Sequence, residues 1–169
     1  NFGLTDDQAS VLNEVERLLS GLPLQAHTEP VVAPYSETLD AALAESGFLD
    51  IAREEGFGAL DAALLTERLA RSQHIVEVGA SALVAPALGL PAGMRPVAMV
   101  AGDATRPARF LPKATILLVD LGSHALAIAV DPARVQPVDS LFAYPYGKLD
   151  SLEGLQVREI ADVASLRRR

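Results

Sequence analysis

Polypeptide chemistry needs carboxylates, imidazoles, thiols or hydroxyls held at working distance, and this sequence offers few such sets. Cysteine is absent, which excludes disulfides, thiolate nucleophiles and cysteine metal sites. The three histidines, His27, His74 and His124, lie far apart. They read as ordinary surface or core residues, so no metal site is expected. Glu54 and Glu55 are the most tempting carboxylates for a general base, because they are adjacent and close to a structured segment. They also sit in a turn beside Gly56 and Gly58, which favours solvated loop acids. No catalytic residue is therefore assigned, and the cofactor-binding positions are left unknown.

The elements that would position such groups fall into two kinds, with a change near residue 90. Before it, apolar residues recur at helical spacing. Leu4, Val11, Leu12, Val15, Leu18, Leu19 and Leu22 form one stripe, with Thr5 and Gln8 placed as a capping box. Gly21 and Pro23 stop that helix. Residues 25–35 form a loop, since Pro30 and Pro34 remove backbone donors and restrict their neighbours. Ser36 is the N-cap expected for a helix running to about Ser46, with Gly47 just past its end. Leu60, Leu64, Leu65 and Leu69 give a third helix its apolar side, with Glu67, Arg68 and Arg71 outward. A fourth helix is expected over Ile75 to Val84, weakened by Gly79 and ended before Pro86.

After Gly93 the period moves towards two. Pro96–Ala101, Ala114–Asp120, His124–Val130 and Arg134–Val138 are short apolar runs separated by Gly-Asp, Leu-Gly-Ser and Asp-Pro signals. Asp120–His124 reads as a hairpin with Gly122-Ser123 in its turn. Successive strands without room for helical crossovers predict a small antiparallel barrel or sandwich. Leu141-Phe-Ala-Tyr-Pro-Tyr146 closes that unit or, alternatively, serves a contact between subunits. Ile160–Arg169 reads as the first turns of a helix, and of two readings (a basic end, or a longer protein that continues) the second is preferred. The expected fold class is α+β: an amino-terminal helical bundle over 1–90, a middle β-barrel-like domain over 91–158, and the start of a carboxy-terminal helical domain at 159–169.

At 169 residues the chain is long enough to bury about 70% of the surface its unfolded form exposes. Half of it is hydrophobic, which excludes intrinsic disorder. The net charge of -8 is uneven. Residues 1–90 carry 14 acidic side chains against 4 arginines, and residues 91–169 carry 8 against 10 basic ones. A nucleic-acid binder needs a basic face, so no nucleic-acid partner is expected, and the acidic half reads as a solvated surface. No apolar run approaches the roughly 20 residues of a membrane span, and the first residues lack a basic leader region. A cytoplasmic protein without a membrane partner is expected.

The stretch Leu39-Asp-Ala-Ala-Leu-Ala-Glu-Ser-Gly-Phe-Leu-Asp-Ile-Ala-Arg-Glu-Glu-Gly-Phe-Gly-Ala-Leu-Asp-Ala-Ala-Leu-Leu-Thr-Glu-Arg-Leu-Ala-Arg71 resembles the amino-terminal helical domain of acyl-CoA dehydrogenases. In that family a helix ends in a Leu/Gly element, a Glu-Glu-x-Gly-like turn follows, and an Ala/Leu-rich helix comes next. Ala108-Arg-Phe-Leu-Pro-Lys-Ala-Thr-Ile-Leu-Leu-Val-Asp120 is similar to a middle-domain strand of the family, and Asp131–Val138 follows as its next strand would. Asp162–Arg169 is similar to the entry into the carboxy-terminal bundle. The likeness covers nearly the whole chain through its order, while each piece alone is weak.

The departures are equally informative. Flavin-binding members carry an Ala-Leu-Thr-Glu-Pro-x-x-Gly-Ser-Asp segment and a Gly-x-Lys-x-x-Ile-x-Asn segment, and neither occurs between Leu90 and Ile116. Thr28-Glu-Pro30 has matching letters but precedes the β region, and reads as coincidence. The family's base is a carboxylate in or near the carboxy-terminal bundle. Desaturation needs such a base for the α-proton while the β-hydrogen leaves as hydride to flavin, and hydrogen bonds to the thioester oxygen stabilise the enolate.

The resemblance thus implies an FAD-dependent oxidoreductase for acyl-CoA thioesters, as a truncated chain or as the degenerate subunit of a heteromeric enzyme of lipid or steroid catabolism, inactive alone. FAD is implied, bound with or without a partner chain, as is a homo- or hetero-oligomer of chains of this fold. The alternative is a non-catalytic structural partner of a catalytic acyl-CoA dehydrogenase chain. A third reading is an unrelated helical-plus-β interaction domain.

Overall fold

The computed structural model describes residues 3–23, 35–141 and 144–160. Helix α1 spans Asp6–Gly21 and opens with the expected capping box: Thr5 Oγ1 accepts from Gln8 N at 3.2 Å, and Gln8 Oε1 accepts from Thr5 N at 3.1 Å. Helix α2 (Glu37–Glu45) follows Ser36, whose side chain makes no capping bond. Gly47 then takes φ +75°, a backbone region that favours glycine, and turns the chain into a 3-10 helix at Phe48–Arg53. Helix α3 (Ala59–Ala70) begins at Gly58, whose N–H donates to Asp61 Oδ2 at 2.7 Å. Asp61 Oδ1 accepts from Gln8 Nε2 at 3.0 Å, linking α3 to the start of α1.

These helices share one apolar core. Val15, Leu39, Leu43, Leu49, Ala62, Leu65 and Leu69 are buried in it. Two leucines of the expected stripes stand outside: Leu4 precedes α1 and Leu60 sits in the first turn of α3, and both are exposed. The buried line of α3 is Ala62–Leu65–Leu69, an i, i+3, i+7 row.

The fourth expected helix is corrected at both ends. Ile75 bridges in parallel to Tyr35, with Ser36 N donating to Ile75 O at 2.7 Å, so the chain enters extended. Helical geometry begins at a π turn, Ala80–Val84, and continues through Pro86 in α4 (Ala85–Ala87). Ala85 N donates to Ala80 O, a wider loop than the α-helical one. That extra residue relieves the clash of a proline ring with the preceding turn, so Pro86 does not end the helix.

Seven strands follow among the described residues: β1 Val97–Ala101, β2 Ala108–Arg109, β3 Ile116–Asp120, β4 Ala125–Ala129, β5 Val135–Val138, β6 Tyr146–Leu149 and β7 Val157–Ile160. They form a four-stranded sheet in the order β1-β3-β4-β7 and a three-stranded sheet in the order β2-β6-β5. The fold class is α+β, as expected. The arrangement is not purely antiparallel, because β1 and β3 pair in parallel from Val97–Ile116 to Ala101–Asp120. The crossover between them is made by β2 and a 3-10 turn at Leu111–Lys113, so no crossover helix was needed. The expected hairpin is present: Leu121 N donates to His124 O, Gly122 has φ +89°, and its N–H donates to Asp120 Oδ1 at 2.8 Å.

Strand β3 explains why alternation was faint in the sequence. Leu117 and Val119 pack between the two sheets with Ala98, Leu111, Ile128 and Leu149. Ile116 and Leu118 pack on the other side with Ala85, Leu90, Val97 and Ile160. The larger sheet is therefore covered on both faces. Glu159 and Ile160 belong to β7, which corrects the helix expected to begin there; the rest of that expectation, 161–169, lies outside the described residues.

Candidate functional site

A cleft of about 410 Å³ opens where α3, the 72–84 segment, β1 and β2 meet. Its apolar lining includes Leu69, Val78, Leu83, Val84, Val97 and Met99. The polar groups around it come from segments that only the tertiary fold brings together.

Glu77 is buried at 3% exposure. Its Oε1 accepts from Ala80 N at 2.8 Å and Ser81 N at 3.3 Å; its Oε2 accepts from Ser81 Oγ and, at 3.1 Å, from Val97 N. One carboxylate thus satisfies the orphan donors of the π turn and the first N–H of β1. Four donors occupy it, and no lone pair is left over for substrate.

A second buried carboxylate lies beside it. Asp40 Oδ1 accepts from Tyr35 Oη at 2.7 Å and pairs with the Arg95 guanidinium. Tyr35 Oη in turn accepts from Glu77 N at 3.5 Å. Burial first, then the hydrogen bond to Asp40, pushes the Tyr35 phenol far above its ordinary value. The group is a permanent hydrogen-bond donor at physiological pH. Arg95 Nε is buried without a partner.

From Tyr35 an aromatic row leads to the cleft. The Tyr35 and Phe110 rings meet edge to face at 6.0 Å, and Phe110 and Tyr144 do so at 5.6 Å. The Arg109 guanidinium carbon stands 4.7 Å from the Tyr144 ring centre and 5.3 Å from that of Phe110, a cation–π setting. Phe110 has φ +65°, a region that a bulky side chain enters only under strain. Arg109, Phe110 and Tyr144 all line the cleft. Arg109 is exposed, and among the described residues no ion pair or hydrogen bond occupies its guanidinium. His74 also lines the cleft; it is 9% exposed, and its Nδ1 has no hydrogen-bond partner.

The residues singled out in the sequence are not gathered here. Glu54 and Glu55 are exposed turn acids, as expected. His124 sits in the β3–β4 hairpin with its Nδ1 at 3.1 Å from Ser123 Oγ. His27 and Thr28–Pro30 lie outside the described residues, as do Phe142 and Ala143. Leu141 is fully exposed, whereas Tyr144 packs in the aromatic row. Of the expected candidates, His74 and Tyr144 border the cleft. Tyr35, Asp40, Glu77, Arg95 and Arg109 were missed. Among them only Glu77, three residues before Ala80, carried a local signal, as a cap for a helix starting later than the periodicity suggested.

The resemblance to acyl-CoA dehydrogenases implies FAD, and the described residues around the cleft do not fit it. A dinucleotide diphosphate is commonly held by backbone N–H groups at a helix start. The N–H groups of Ala80 and Ser81, which open the helix beside the cleft, already donate to Glu77. The remaining unoccupied polar groups in the lining are too few for a flavin dinucleotide, so no step is derived through it.

No family model and no curated protein sequence matches the chain. Among solved structures, a chain of the ChsE4-ChsE5 complex from Mycobacterium tuberculosis is similar in fold, with a TM-score of 0.63 at 16% identity. The match covers 97% of this chain and 59% of that one, so the sequence spans somewhat over half the length of its structural neighbour. That neighbour is a complex of two proteins. No described helix is long and apolar enough to cross a membrane.

Proposed function

We propose that this chain is an acyl-CoA dehydrogenase-like polypeptide that works within a hetero-oligomer, contributing an apolar wall to a thioester-binding cleft while base and flavin come from elsewhere in the assembly. The observation that carries this reading is the state of Glu77. It is the one carboxylate among the described cleft residues, and four donors hold it. A general base must reach the proton it removes and hold a free lone pair; Glu77 has neither role open to it. The helical-then-β order, the sequence resemblance and a structural neighbour that is itself a two-protein complex support the assembly.

The test is to purify the chain alone and together with the product of the adjacent reading frame. Flavin absorbance near about 450 nm and acyl-CoA desaturation are then measured in both preparations. The expected outcome is a colourless, inactive chain alone and a yellow, active complex. Flavin and activity in the chain alone would restore a complete enzyme. A colourless complex would sink the flavin reading altogether.

A further inference from the structure

Both Arg109 and His74 line the cleft, and among the described residues neither the guanidinium nor the imidazole Nδ1 has a hydrogen-bond or ion-pair partner. The guanidinium rests on the Phe110 and Tyr144 rings at 5.3 and 4.7 Å, with no carboxylate partner among the described residues. The imidazole is nine-tenths buried, and its Nδ1 has no hydrogen-bond partner. Buried polar atoms without partners are uncommon in folded proteins and call for an explanation. Both residues line the same cleft, whose other walls include Leu69, Leu83, Val84 and Met99.

Volume and charge define an occupant. A methylene is about the size of a water molecule, roughly 30 Å³, so a cleft of about 410 Å³, partly open, takes a body of about ten heavy atoms. The described lining holds one cation, which suits one negative charge. A phosphate dianion would seek further donors, and the neighbouring helix start is already sealed by Glu77. A guanidinium fork matches the two oxygens of a carboxylate. The aromatic rings beneath it hold the cation at the cleft wall, and strained Phe110 supplies one of them.

We infer that this cleft binds an amphiphilic carboxylate, its acid group on Arg109, its aliphatic or alicyclic body against the apolar wall, and His74 as the second polar contact. This goes beyond the acyl-thioester reading and does not depend on it, because the site needs only an oxyanion joined to an apolar body.

The whole chain is titrated by calorimetry with decanoate, with neutral decanamide and with decanoyl-CoA, and the histidine ring signals are followed by NMR. Decanoate is expected to bind at least about tenfold more tightly than decanamide, the scale of one charge-assisted contact. Its saturation should shift the His74 ring signals and leave those of His124 in place. Arg109→Gln removes the preference for decanoate, and Arg109→Lys keeps part of it. Arg109 is exposed, so both variants should melt as the parent does, which thermal unfolding checks. Equal binding of decanamide and decanoate, an unchanged preference in Arg109→Gln, or no response at His74 would each overturn the assignment. Binding of decanoyl-CoA without decanoate also overturns it, yet leaves the proposed function standing. Decanoate binding by a chain that forms no flavin complex does the reverse.

Discussion

The helical and β portions are stabilised in different ways. The helices share one core of leucines and small residues, with Leu39, Leu43 and Leu65 fully buried. The β portion has two cores, one between the sheets and one between the larger sheet and the segment around Ala85 and Leu90. A helix buries one stripe, so its polar groups can stay in water. A sheet covered on both faces must pair every strand-end donor internally, and the first N–H of β1 is paired by Glu77, a side chain from the helical portion. The difference locates the vulnerable point of the molecule: two buried carboxylates, Glu77 and Asp40, tie the portions together.

The comparison is broken most severely at that point. Glu77→Ala strands the Val97, Ala80 and Ser81 N–H groups, and at about 1–3 kcal/mol for each unsatisfied buried donor it should cost at least about 3 kcal/mol in urea unfolding. Glu77→Gln keeps the shape but offers N–H where a donor now points, so it should lose less than alanine but more than a surface change. Wild-type stability in both variants would remove the junction argument. Next, Leu117→Ala should cost about 2–5 kcal/mol, because its side chain is buried between the sheets. Leu60→Ala, exposed in α3, should change the midpoint by less than about 0.5 kcal/mol. Equal effects would contradict the burial pattern.

Arg95→Met leaves Asp40 buried with only the Tyr35 hydroxyl, and breaking a buried pair from one side costs about 3 kcal/mol or more. The double variant Arg95→Met/Asp40→Leu should recover part of that loss, and a strictly additive double variant would deny the coupling. At Gly147 an added Cβ would meet Val135 Cγ1 at 2.7 Å and Pro112 Cγ at 3.0 Å. Gly147→Ala should therefore destabilise by about 1–3 kcal/mol through overpacking.

A graded effect is reached by pH. The folded-state pKa of Tyr35 is raised, first by burial and then by Asp40, so the folded chain holds the phenol proton more tightly than the unfolded one. Its contribution is complete below the ordinary tyrosine value of 10.0 and declines above it, by up to about 1.4 kcal/mol per pH unit. Denaturation midpoints measured across that range should fall faster in the parent than in Tyr35→Phe. At the surface, Arg68 lowers the pKa of Glu16 by a hydrogen bond, a direction that favours folding above the unfolded carboxylate range and loses that support as pH falls. Because both groups are solvated, added salt should change unfolding little.

Much of the scaffold was legible because its causes are local. The Thr5–Gln8 box, the Gly47 turn, the Asp120–His124 hairpin and four of the strands depend on residues within a few positions of one another. Strands β2, β6 and β7 were not legible: β2 and β7 pair with partners far along the chain, and all three show little pattern of their own. The start of the fourth helix differs from the expectation because Ile75, Val76 and Val78 are apolar and precede a helical segment, while the extended path at Ile75 is set by pairing with Tyr35. The cleft was the least legible feature of all. Arg109, Phe110 and Tyr144 are separated in sequence from His74 and Glu77, and no spacing rule relates them.

What the sequence determined by itself is the succession of a helical and then an extended portion, the α+β class and the absence of cysteine chemistry, because those follow from composition and short-range periodicity. The tertiary structure alone decided the parallel pairing of β1 with β3, the saturation of Glu77, and the placing of Arg109 and His74 in the lining of one cleft. Buried polar groups must find partners wherever the folded chain presents them, and that requirement acts through space and leaves no regular spacing in the sequence.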